Sequence, residues 1–299
     1  NIPAHTRTIN ELTKRNMNQA IPGRPKHVRI RIAGITDTGR RRDNNEDNIL
    51  VDSHHCLAIV ADGMGGHNAG EVASQIAIDV TSQFLIAGIH IEGKSEDAFS
   101  TAEPLKVLME KSIQQANRKI VEASGDDDKK SGMGTTIACL LFCGNWFVIG
   151  NIGDSRCYRF RDGKISQLSV DHSWIQGMVK QGAIKQEDAK HHPQRALLLQ
   201  ALGNREVEPS FTSGCPQPGD VFVVCSDGLT EVVSNNTIGF VLSQDGSPQK
   251  TAEKLVELAN ENGGPDNISV IVAKVLPPKP TRSAMKDNDT NAESDFLLY

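Results

Sequence analysis

The spacing of apolar positions divides the chain into blocks of different period. Arg29–Ile35, Asn48–Val51 and Leu57–Ala61 are short β-rich runs, the last wholly apolar as a buried strand would be. The period then lengthens. From Gly70 to Leu85, Val72, Ile76, Val80 and Phe84 recur four residues apart, predicting an amphipathic helix with that stripe turned toward a core. Leu105, Leu108, Ile113, Ala116 and Ile120 predict a second helix over 105–123, followed by a polar loop at 124–130.

After residue 134 the β pattern returns. Runs at 135–143, 146–152, 157–161 and 164–170 are separated by Gly144-Asn145 and Asp162-Gly163, the turn chemistry of antiparallel hairpins. Residues 174–203 are short-helical and broken by Gly177, Gly182 and Pro193, predicting an inserted flap. Val221–Cys225 then predicts a buried strand, Pro248–Glu261 a helix and Ile268–Val275 a last strand. Hairpins with helices grouped in pairs, not alternating βαβ units, indicate an α+β class with antiparallel sheets flanked by helices and disfavour a Rossmann-like fold. The expected organisation is a flexible tail at 1–28, one folded domain at 29–276 with its flap near 174–203, and a second tail at 277–299 that starts with a Pro-rich stretch. The closing Phe296-Leu297-Leu298-Tyr299 is read as a frayed end.

Composition narrows the function classes. The net charge is −5, and the basic residues are dispersed, so no stripe can neutralise a row of phosphates and nucleic acid is not an expected partner. No uncharged apolar run approaches the 18 or so residues of a membrane span, and the first 26 residues lack the apolar stretch of a secretory signal. Six cysteines without a CxxC, most of them inside apolar runs, read as buried free thiols in a reducing cytoplasm.

The candidate chemistry lies in four aspartates at the ends of apolar strands: Asp62 before Gly63, Asp154 after Gly153, Asp227 before Gly228, and Asp266 after Gly264-Pro265. Any single Asp-Gly is more often a turn than a ligand. Four together, if their strands lie side by side, would repel one another unless cations neutralised them. All donors are oxygens, which favours hard ions such as Mg²⁺ or Mn²⁺ over zinc, and Gly63 leaves room for a main-chain carbonyl to approach an ion. Upstream, Arg42 and the acids Glu46 and Asp47 crowd one polar segment.

Taken in order, Arg42-xx-Asn45-Glu46-Asp47, Asp62-Gly63-Met64-Gly65-Gly66-His67, Gly132-Met133-Gly134-Thr135-Thr136, Gly153-Asp154-Ser155-Arg156, Asp171-His172-Ser173, Ser226-Asp227-Gly228 and Gly264-Pro265-Asp266-Asn267 resemble the type 2C, metal-dependent (PPM) protein phosphatases, in their bacterial form. The resemblance spans about residues 30 to 275. It implies a central pair of antiparallel sheets sandwiched between helix pairs in four αββα layers, and a Ser/Thr phosphatase that attacks phosphorus directly with a metal-bridging hydroxide. It further implies two Mn²⁺ or Mg²⁺ ions on Asp62, the Gly63 carbonyl, Asp227 and Asp266, with Glu46 and Asp47 holding metal-bound water. Asp154 with Asp227 would match a third, weaker metal site, and Arg42 would grip the phosphate. Expected partners are phosphorylated proteins, the products of Ser/Thr kinases, met by a monomer.

Many eukaryotic members carry a His after the Asp-Gly, where this chain has Met64, so the leaving-group acid stays open between His67 and metal-bound water. His67 is read rather as a packing residue, and His191-His192 as loop residues in a flap that selects substrate. Two rivals stand beside the phosphatase: a catalytically inactive scaffold of the same fold, disfavoured because every ligand acid is present, and a two-metal nuclease, disfavoured by the lack of a basic groove.

Overall fold

The computed structural model describes residues 28–65, 69–92, 99–125, 132–189, 192–194 and 197–278, so His67, His191, Arg195 and nearly all of both expected tails lie outside the described residues. In chain order the strands are β1 (Arg29–Asp37), β2 (Asp47–Asp52), β3 (Leu57–Met64), β4 (Gly134–Thr135), β5 (Ile137–Cys143), β6 (Trp146–Ile152), β7 (Arg156–Arg161), β8 (Lys164–Gln167), β9 (Ser210–Gly214), β10 (Val221–Cys225) and β11 (Ile268–Leu276). The helices are α1 (Ala69–Glu92), α2 (Glu103–Ser124), α3 (Trp174–Lys180), α4 (Gln186–Ala189), α5 (Asp227–Thr230), α6 (Asn235–Ser243) and α7 (Pro248–Glu261).

The strands form two antiparallel sheets, one in the order β1-β11-β10-β7-β8 and one in the order β2-β3-β5-β6-β9, with β4 beside β3. Alternate side chains of each strand point to opposite faces, so each sheet needs two partners. Ala58, Val60, Phe142, Phe147, Phe222 and Ile271 fill the space between the sheets, and Phe142 and Phe147 meet the Phe222 ring edge-on at 5.2 and 4.9 Å. The outer face of one sheet is covered by α1 and α2, that of the other by α5, α6 and α7. The result is the four-layer αββα sandwich.

Helix α7 starts at Pro248 with the Ser247 hydroxyl accepting from Lys250 N at 3.3 Å, a capped start that the sequence announces. Helix α1 differs from its prediction. Val72 and Phe84 are 36% and 38% exposed and Ile76 and Val80 only partly buried, whereas Ala69, Ala73, Ala77 and Leu85 are fully packed. The reason is close approach: a Cβ on Gly70 would meet the Gly63 carbonyl carbon at 2.8 Å and Glu46 Oε2 at 2.9 Å. The helix therefore turns its small residues to the sheet and its bulky stripe partly to solvent. By length and composition α1 is also apolar enough to cross a membrane, a feature missed by counting uncharged residues, but a core helix has the same character and one face of α1 is packed on the sheet. Strand β9 carries no clear period, helix α6 is an additional element with Ile238, Val241 and Leu242 buried at i, i+3, i+4 spacing, and β8 ends at Gln167, short of the predicted 170.

Candidate active site

Antiparallel pairing brings alternate strand ends to one edge of the sandwich. Asp47 opens β2 directly opposite Asp62 near the end of β3. In the other sheet β10 ends at Cys225, so Asp227 emerges at the first position of α5, and Asp266 lies just before β11. Gly153, at φ +93°, turns the chain out of β6 into Asp154, and a Cβ there would strike Thr136 Cγ2 at 2.6 Å. Acids from both sheets thus converge.

Their mutual influence measures that convergence. Asp62 is held well above the usual carboxylate range by burial and then by the charges of Asp47, Asp227 and Asp154. Burial followed by Asp154, Glu231, Asp266 and Asp47 does the same to Asp227. Asp47 is pushed up to about 6 by burial, against a stabilising hydrogen bond from Ser226. Asp154 is also raised to about 6, by burial and then by Asp171. Glu46 is raised by burial, with Arg42 opposing.

Arg42 approaches from solvent. Its Nη2 donates to Asp266 Oδ2 at 2.7 Å while its side chain stays 53% exposed, and the bond raises its pKa further. Gly63 N donates to Glu46 O at 3.2 Å, and a Cβ on Gly63 would collide with the Gly70 and Glu46 carbonyls, so only glycine fits between strand and helix. Met64 packs its side chain on Gly134.

A set of uncharged side chains aims these acids. Asn267 accepts from Glu46 N at 2.9 Å through Oδ1 and donates through Nδ2 to the carbonyls of Thr38 and Asn44 at 3.0 and 2.8 Å, tying the Arg42 loop to the Asp266 loop. Ser226 Oγ donates to Asp47 Oδ2 at 2.7 Å and accepts from Ser269 N at 3.0 Å. Thr136 Oγ1 accepts from Asp62 N at 3.0 Å and shares a 2.7 Å hydrogen bond with Ser155 Oγ, while Thr135 Oγ1 donates to the Asp62 carbonyl at 2.8 Å. His172 Nδ1 accepts from Gly153 N at 3.3 Å and its Nε2 contacts Ser210 Oγ at 2.7 Å; burial, then Lys180, lowers its pKa and favours this neutral form. Most of these residues stand inside the sequence motifs, which by themselves assign them no task. The signal was their adjacency to the acids; the bonds cross tens to hundreds of residues.

One atom among the acids has no internal partner. Asp227 Oδ1 is buried and meets no hydrogen-bond donor among the described residues. A buried, unpaired carboxylate oxygen costs several kcal/mol if charged. The buried Asp47 and the partly buried Asp62 and Asp154 stand near it, all oxygen donors, which fits a hard divalent ion.

A family profile described as Protein phosphatase 2C matches residues 38–260, most of the described fold. The chain belongs to this family. It is 38% identical over 247 residues to the serine/threonine protein phosphatase PstP of Mycobacterium tuberculosis, covering 83% of this chain and 45% of PstP. It is 37% identical over 243 residues to the serine/threonine phosphatase stp of Listeria monocytogenes, covering 80% of this chain and 93% of stp. The chain thus spans less than half the length of the mycobacterial relative. Among solved structures, that of M. tuberculosis PstP/Ppp superposes with a TM-score of 0.74 at 38% identity, covering 84% of this chain and 100% of the other. The PstP catalytic domain in complex with two manganese ions superposes with a TM-score of 0.72 at 36% identity, over 83% of this chain and 99% of that one. The sandwich described here is the fold of these bacterial phosphatases.

Proposed function

We propose that this 2C-family chain is a metal-dependent protein Ser/Thr phosphatase acting on phosphoproteins made by Ser/Thr kinases. The observation that carries the reading is the partnerless Asp227 Oδ1 inside a ring of acids whose pKa values are raised. Asp62, the Gly63 carbonyl, Asp227 and Asp266 would hold two Mn²⁺ or Mg²⁺ ions, and Asp154 with Asp227 would offer a weaker third position. Bound there, the ions would supply Lewis acidity and bring the pKa of bound water down toward neutrality.

The chain's own groups do the rest. Glu46 and Asp47 would accept hydrogen bonds from water at the ions and fix its orientation. Arg42 exchanges its exposed carboxylate partner, Asp266, for a phosphate oxygen pair, a geometry its planar fork matches equally well. A covalent cysteine route is disfavoured: burial pushes the thiols of Cys143 and Cys225 up to about 12, so neither is a thiolate at neutral pH. Met64, packed on Gly134, has no proton to give, so the leaving alkoxide would draw its proton from metal-bound water or from His67.

Residues 174–203 are read as the flap that selects substrate. Its ends are tied beside the site by the Ser173–Leu198 and Thr135–Leu202 bridges, and it exposes Leu197 and Leu199. Trp174 packs on the His192 ring at 5.3 Å, a loop role for that histidine. Residues 29–276 act as one catalytic unit. Six free thiols, one of them the exposed Cys215, favour a reducing cytoplasm, and a monomer suffices because every proposed ligand comes from one chain.

The test is phosphate release from phosphoserine, phosphothreonine and phosphotyrosine peptides with and without Mn²⁺. Manganese-dependent turnover of the first two supports the reading; an inert protein that still binds phosphopeptide would identify a scaffold instead.

A further inference from the structure

At the far end of the β2–β3 hairpin from Asp47 and Asp62, a second group of metal-ligating side chains gathers. Asp52 Oδ1 accepts from the main-chain nitrogens of His54 and His55 at 2.8 and 3.0 Å, which shapes the turn. Asp52 Oδ2 lies 2.6 Å from His55 Nδ1. In the tautomer with the proton on Nδ1, donated to Asp52, the His55 Nε2 lone pair faces the other two rings. His55 Nε2 is 3.4 Å from His54 Nδ1 and 3.3 Å from His90 Nε2, in the last turn of α1. The His55 ring meets each of the others edge-on, at 76° and 85°, so that nitrogens rather than faces approach at His55 Nε2.

We infer that His54, His55 and His90 form a binding site for a borderline divalent ion such as Zn²⁺, with Asp52 as the carboxylate behind the central ligand. The spacing carries the argument. A tetrahedral ion with metal–nitrogen bonds of about 2.0–2.1 Å sets its ligand nitrogens ~3.3–3.4 Å apart, the separation found on both measured edges. The His55 imidazole bonded to a carboxylate through its second nitrogen is the arrangement that orients metal-bound histidines and raises their basicity. Three nitrogen donors select Zn²⁺, Ni²⁺ or Cu²⁺ over the Mg²⁺ and Mn²⁺ suited to the acids at the other edge.

The ion joins the hairpin turn to the end of α1. These are the same two elements whose opposite ends enclose Glu46, Gly63 and Gly70, so it acts as a clasp on the helix-to-sheet register. The site does not depend on the phosphatase reading, since it shares no residue with the acid cluster.

The probe is Co²⁺ added to the full chain with the carboxylate site saturated by Mg²⁺. One equivalent giving the intense visible bands of tetrahedral Co²⁺, displaced by Zn²⁺ and accompanied by a rise in Tm, is the expected result. His90→Gln and His54→Gln, both reaching solvent, should fold with unchanged Mn²⁺-dependent turnover and lose the bands. Asp52→Asn should weaken binding about 10–100-fold, and Asp62→Asn should retain the bands in full. Absence of tetrahedral bands in the wild type, their persistence in both histidine variants, or their loss in Asp62→Asn would overturn the inference; weak octahedral bands alone would show that the three imidazoles merely hydrogen-bond to one another.

Discussion

Two groups of buried acids in this molecule obey opposite rules. Asp171 and Asp220, with side chains 3% and 1% exposed, each face a forked arginine: Arg156 Nη2 donates to Asp171 Oδ2 at 2.6 Å with Nε alongside, and Arg161 does the same to Asp220. Asp47 is as deeply set and Asp62, Asp154 and Asp227 are partly buried, yet the charges around them are mostly those of other acids. Arg42, the cation reaching their edge, does so from solvent on a flexible stem. The first group is neutralised from within and holds the sheet edge together. The second is crowded with like charge, and under the proposed function ions from outside would neutralise it, so that charge crowding and catalysis would coincide there.

The largest separation between the groups should come from Asp62→Ala and Asp227→Asn. Either change is expected to reduce Mn²⁺-dependent kcat by at least about 10³-fold, while the Tm of the metal-free protein holds or rises because repulsion is relieved. Retained turnover would break the distinction. Asp171→Ala should behave in the reverse sense: leaving Arg156 largely buried without its partner is expected to cost about 3–5 kcal/mol in urea unfolding.

Acidity sharpens the contrast next. In the metal-free protein, Asp47 and Asp154 titrate near 6 when folded against about 3.9 when unfolded. The folded state then binds more protons, so their stabilising contribution is complete below the unfolded pKa and is lost as pH rises through about 6. Asp62 and Asp227, raised further, extend the loss to higher pH. Thermal unfolding in EDTA should therefore show Tm falling from pH 4 to 7.5. Saturating Mn²⁺ should reverse that slope, and at 100 times its Kd should add about 2.7 kcal/mol. The smallest effect belongs to Arg42→Ala, whose exposed side chain is expected to raise KM for small phosphate esters about tenfold with a lesser change in kcat. An unchanged KM would remove Arg42 from phosphate binding.

Much of this was legible in the linear chain because it depends on local chemistry. Strand-terminal acids beside glycine, hairpin turns at Gly144 and Asp162-Gly163, and the capped start of α7 each follow from neighbours in sequence. Helix α1 shows where that reading stops. Its bulky i, i+4 stripe is a true periodicity, but which face turns inward was decided by how near Gly63, Glu46 and Gly70 must lie, a distance no local pattern encodes. The same holds for Asn267, whose amide spans the Thr38, Asn44 and Glu46 backbone, and for Ser226, which reaches Asp47 across 179 positions.

The sequence by itself determined the α+β class, the kinds of donor atom and the strands that carry them, since propensity, periodicity and side-chain chemistry act over a few residues. Only the tertiary structure decided which acids share one low-dielectric space, which find an arginine, and that three histidines meet behind Asp52. Desolvation and Coulomb energies depend on distances between segments remote in sequence, and those exist only once the two sheets have packed.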